Sequence, residues 1–150
     1  MRVNASFDAR HLERVRLELD AEHRALRHFG DRIKTASDMR LLAQLLEELH
    51  RRLKAHFVHE EFSEGLYDAI GALGPSHRDQ VRELLDEHYR FLAMVRGLSA
   101  RAHGRRADGA DLIREAAELA EQLHRHEEKE LALTTPAQRA PSGRGQAPRL

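Results

Sequence analysis

The chain has 150 residues, long enough for one hydrophobic core and too short for two. Its 25 lysines and arginines balance 25 aspartates and glutamates, so no net field selects nucleic acid or an anionic membrane as a partner. Cysteine is absent, which excludes disulfides, thiolate nucleophiles and cysteine metal sites; residues 1–20 hold no signal-like apolar run and no stretch reaches eighteen apolar residues, so a soluble cytoplasmic protein is expected.

The first element opens near Ser6 or Asp8, either of which can cap a helix, and Leu12, Val15, Leu19, His23, Leu26 and Ile33 share one of its faces. GDRIKTASD at 30–38 interrupts it. The second stretch keeps a four-three spacing over about four heptads, leucine at 42, 46, 49 and 53, then His56, Glu60, Ser63, Tyr67 and Ile70. GALGPSH at 71–77 is a firm break. Val81, Leu84, His88, Phe91, Val95 and Leu98 line the third stretch, and HGRRADGAD at 103–111 ends it. The fourth reads Leu112, Ala116, Leu119, Leu123, His126, Glu130, apolar and then abruptly ionisable, as in the second. From residue 134 the composition turns to Pro, Gly, Ala and Arg, a pattern that cannot supply a core. No segment reads as a strand. The predicted organisation is an all-α domain over 1–133, an antiparallel up-down-up-down four-helix bundle, followed by a disordered extension over 134–150.

In such a bundle two residues lie at one depth when the turn between them falls midway in the numbering. The breaks at 71–77 and 103–111 satisfy this for His56 and Glu60, His88, and His126 and Glu130, and the break at 30–38 falls a few residues short for His23. Six ionisable side chains therefore converge on one layer of the core. Each would cost several kcal/mol there unless paired or bound to a cation. His56 with Glu60 and His126 with Glu130 are four apart and face one point from two helices. Carboxylates that can bridge, with imidazoles and no sulfur, favour a pair of iron, manganese or zinc ions.

A lone His on the first helix, His-x-x-x-Glu in HFVHEE on the second, a lone His in DEHYRFL on the third and His-x-x-x-Glu in HRHEEKE on the fourth resemble a hemerythrin-like domain over about residues 8 to 133. The resemblance implies two iron ions bridged by Glu60, Glu130 and an oxo or hydroxo group, with His23, His56, His88 and His126 as terminal ligands. It implies binding of dioxygen, nitric oxide or peroxide for sensing, scavenging or storage. Muscle and blood hemerythrins carry a fifth histidine one turn before the third-helix ligand, where this chain has Leu84; Tyr67 and Glu22 are the candidates to fill that position. A set of four histidines and two glutamates is closer to the di-iron proteins of nitrosative-stress iron–sulfur repair, whose cysteine-containing segment this chain lacks.

Competing arrangements exist. Glu47 with His50 and Glu121 with His124 have ferritin-type spacing but sit one residue off their leucine seams, and His124 with Glu128 would turn Leu119 and Leu123 away from the core. His11, His28, His50, His77 and His103 fall on flanks or in turns and are expected at the surface; His59 lies one turn from the cluster, where it could act behind a ligand or relay a proton. A metal-free interaction module with a hydrogen-bonded histidine layer, and a peroxidase-like or iron-donating stress protein, are the alternative functions. No separate acid, base or organic-substrate pocket is legible, so turnover is left open.

Overall fold

The computed structural model describes residues 5–104 and 109–134, with side chains described from residue 10 onward. Four long helices, α1 (Ala5–Thr35), α2 (Met39–Glu61), α4 (Pro75–His103) and α5 (Gly109–Thr134), and one short helix, α3 (Leu66–Gly71), account for nearly all of it, with no strand among the described residues. Consecutive long helices pack as neighbours and α5 closes the ring against α1, so the bundle runs up-down-up-down as expected. The expected extension from residue 134 lies, apart from the helical Thr134, outside the described residues. No described helix is long and apolar enough to cross a membrane.

Local chemistry sets the helix ends. α1 runs through Gly30 to Thr35, so the first break narrows to Ala36–Asp38, where Asp38 caps α2 by accepting from Arg40 N at 2.9 Å. Pro75 starts α4, where its missing N–H costs nothing. The second stretch departs from its continuous heptad pattern: α2 stops at Glu61 and the chain turns through Phe62–Gly65. Glu64 adopts φ 65°, and a Cβ at Gly65 would lie 2.7 Å from His59 O and 2.8 Å from Phe62 O, so only glycine fits there. α3 then lies across α1, α2 and α4 at one end of the bundle.

Leu42, Leu46, Leu49 and Leu53 of α2 are fully buried, each worth about 1.5–3 kcal/mol of transfer free energy. They anchor the larger apolar cluster with Ile33, Val95, Leu112 and Leu119. A smaller cluster at the α3 end contains Leu12, Leu19, Leu66, Ile70 and Leu84. The predicted polar layer lies between the two.

Candidate metal centre

The structure brings together all six residues of that layer. His23 comes from α1, His56 and Glu60 from α2, His88 from α4, and His126 and Glu130 from α5. Two overlapping groups form, His23, His56, Glu60 and Glu130, and Glu60, His88, His126 and Glu130, with the donor atoms of each within 4.8 Å of one another. Both carboxylates belong to both groups. Glu60 Oε2 lies 3.1 Å from His23 Nε2 and 3.0 Å from His56 Nε2, while its Oε1 lies 3.1 Å from His88 Nε2. Glu130 Oε1 lies 3.7 Å from His23 Nε2, and its Oε2 lies 3.6 Å from His126 Nε2.

Three imidazoles are fixed from behind by a carboxylate. His56 Nδ1 meets Glu22 Oε1 at 2.8 Å, His88 Nδ1 meets Glu61 Oε2 at 2.6 Å and His126 Nδ1 meets Glu87 Oε1 at 2.6 Å. A carboxylate only accepts, so each Nδ1 carries the proton and a neutral ring turns its Nε2 lone pair inward. These lone pairs face carboxylate oxygens. Glu60 Oε1 and Glu130 Oε1 are buried without a hydrogen-bond partner, the His88 contact to the former lying outside hydrogen-bond geometry. Converging lone pairs repel unless a proton or a cation sits among them. Nitrogen and carboxylate donors without sulfur fit a borderline or hard divalent ion.

The electrostatics follow from that crowding. Burial, then the charge of Glu60, pushes the Glu130 carboxyl well above its ordinary range. Burial would also raise Glu60, yet the surrounding imidazoles of His23, His56 and His88, which favour its charged form, hold it well below. Desolvation lowers His126 to about 4, which keeps it neutral and available as a donor. For His56 the carboxylates of Glu60 and Glu22 overcome an opposing desolvation and raise it.

Of the two candidates for the position left by Leu84, Tyr67 enters the layer and Glu22 turns outward. The Tyr67 hydroxyl donates to Glu130 Oε2 at 2.8 Å and lies 2.6 Å from His88 Nε2 and 3.4 Å from His126 Nε2. Leu84 packs beneath it in the smaller cluster. Burial, then the charges of Glu130 and Glu60, raises the Tyr67 phenol and keeps it protonated while no cation offsets them. Glu22 instead joins His56 to His59, whose Nδ1 is 2.7 Å from Glu22 Oε2, so His59 stands behind a ligand position.

Glu61 and Glu87 escaped the sequence reading. Each neighbours a layer residue in sequence, Glu60 or His88, but serves the histidine of the next helix. Only that adjacency, shared with Glu22 and His23, could have signalled them. The competing arrangements do not assemble. Glu47 is exposed and meets His103 at 3.6 Å, Glu121 pairs with Lys34, and His124 with Glu128 forms an exposed pair at 3.3 Å. Of the histidines expected outside, His28 and His103 are exposed, and His11, His50 and His77 are half-buried away from the layer.

Neither the curated proteins nor the solved structures contain a significant match to the chain. The family model described as the hemerythrin HHE cation binding domain matches residues 16–135, a span that holds all six residues of the layer. The chain therefore belongs to the hemerythrin HHE cation-binding family.

Proposed function

We propose that this protein is a non-heme di-iron protein that binds dioxygen, nitric oxide or peroxide for sensing, scavenging or storage in the cytoplasm. The observation that carries the reading is the pair of buried carboxylates, each shared by two groups of imidazoles and each left with an unpartnered oxygen. Glu60 and Glu130 would bridge two ions, His23 and His56 would hold one, and His88 and His126 the other. Tyr67 adds a seventh donor residue beside the second pair. Two irons held this way supply Lewis acidity and redox capacity toward a small ligand.

The surrounding residues set the conditions. Glu22, Glu61 and Glu87 fix the tautomers that aim Nε2 inward, and Phe57, stacked on His88 with ring centroids 3.6 Å apart, excludes water from that side. The donor set also accommodates manganese or zinc, so metal identity is measured first. The test is metal content per chain, followed by visible spectra of an anaerobic ferrous sample before and after air or nitric oxide. Two irons with ligand-sensitive visible bands are expected. A colourless, metal-free, well-folded protein would refute the reading in favour of an interaction module, and catalytic consumption of peroxide would establish an enzyme.

A further inference from the structure

The four long helices repeat a pattern in pairs. α1 and α4 each carry Glu-His, at Glu22-His23 and Glu87-His88, and α2 and α5 each carry His-x-x-x-Glu. The carboxylate of one pair supports the histidine of the other element in matching fashion: Glu22 supports His56, and Glu87 supports His126. On α2 the residue after the bridging carboxylate, Glu61, supports His88. The matching position on α5, after Glu130, is Leu131. Among the described residues His23 meets carboxylates only through Nε2, and none supports its Nδ1. Its side chain is 15% exposed, against 3%, 1% and 2% for His56, His88 and His126.

The same corner is open to solvent. Between α1 and α5 lie two adjoining clefts of about 220 and 70 Å³ that share Arg27, His124 and Glu127. The smaller is lined by His23, Glu130 and Leu131, so it reaches the layer itself. Glu127 Oε2 is buried there with no hydrogen-bond partner, and Glu130 Oε1, fully buried, is likewise unpartnered. We propose that the two metal positions are unequal: the ion between His23 and His56 is exchangeable, leaving and returning through the α1/α5 cleft past Glu127, while the ion between His88 and His126 is fixed. The inference rests on the two-ion reading above. A carboxylate behind a histidine ligand changes metal affinity about 10–100-fold, which is enough to separate two otherwise similar positions.

The full chain is loaded anaerobically with ferrous iron and mixed with excess chromogenic ferrous chelator, and release is followed over time. Two phases of equal amplitude are expected. Leu131→Glu, at a position 49% exposed and so tolerant of charge, supplies the missing support and should slow the fast phase about tenfold or more. Leu131→Gln, which cannot supply the charge, should slow it far less. Glu61→Gln should accelerate the slow phase alone, a phase-specific change that general loosening of the bundle would not produce. A chain that never takes up a second ion overturns the two-ion reading and this inference with it. A chain that takes up two and releases both in a single phase, or whose fast phase is unmoved by Leu131→Glu, overturns this inference alone.

Discussion

Glu130→Gln separates a cation-binding layer from a satisfied polar network. A carboxylate oxygen of Glu60 lies within 4.8 Å of one of Glu130. Two unit charges at that distance repel by about 3.5 kcal/mol at an effective dielectric of 20. Stripped of metal, the folded chain avoids this by holding a proton on Glu130, consistent with its raised pKa. The unfolded chain releases that proton at its ordinary value of 4.5, so between there and the folded pKa the native state binds more protons and loses stability as pH rises. Glutamine removes the charge and keeps a carbonyl that can accept from the Tyr67 hydroxyl, now 2.8 Å from Glu130 Oε2.

Metal-free Glu130→Gln should therefore match metal-free wild type near pH 5 and exceed it by about 1–3 kcal/mol at pH 7.5. The lowered His126, at about 4, acts in the opposite sense, since below its ordinary value of 6.5 the unfolded chain takes up a proton that the native state does not; it is present in both proteins and largely cancels in the difference. With metal the order reverses, because the variant forfeits the mass-action stabilisation of the native state. Thermal unfolding at the two pH values, with and without chelator, measures all of this. A metal-free variant that melts clearly below metal-free wild type at pH 7.5 would refute the reasoning and identify a layer that needs its carboxylate for hydrogen bonding.

Tyr67→Phe keeps all six nitrogen and carboxylate donors, so it should still take up two ions, while the metal-free form loses about 1 kcal/mol with the hydrogen bond to Glu130. The ferric wild type should show a phenolate-to-metal band in the visible that the variant lacks, and identical spectra would remove Tyr67 from the donor set. Glu87→Gln weakens the support of His126 and should reduce metal affinity about 10–100-fold in chelator competition, with unchanged affinity refuting that role.

The inward residues were legible because a leucine seam fixes helical phase. Leu119 and Leu123 orient α5 so that His126 and Glu130, and not His124 and Glu128, face the core. The same periodicity misled at the end of α2. Tyr67 continues the four-three spacing from Glu60, yet it reaches the layer from a separate short helix, because Gly65 and the left-handed Glu64 turn the chain first. Phase along one helix also reports nothing about a neighbour's needs. Glu61 is on the outer flank of α2 and Glu87 is off the α4 seam, and their partners are defined only once the helices are packed. Legible seams fix which residues face inward, whereas supports that cross between helices emerge from assembly.

The walls of the layer are as unequal as its supports. Toward the larger cluster Phe57 stacks on His88, and Phe91 meets His126 edge-on with centroids 5.3 Å apart. Toward the smaller cluster Tyr67, which packs in one cluster with Leu84, covers the same two histidines. That half of the layer is enclosed on both sides, and in a medium of low dielectric each charge interaction within it is strengthened. His23 has no comparable cover and borders the α1/α5 cleft. Matching donor pairs, a histidine on α1 or α4 and a His-x-x-x-Glu on the next long helix, are thus set in different surroundings. Affinity follows from enclosure and support as well as from donor identity, so an arrangement that is nearly symmetric in its donors need not be symmetric in its chemistry.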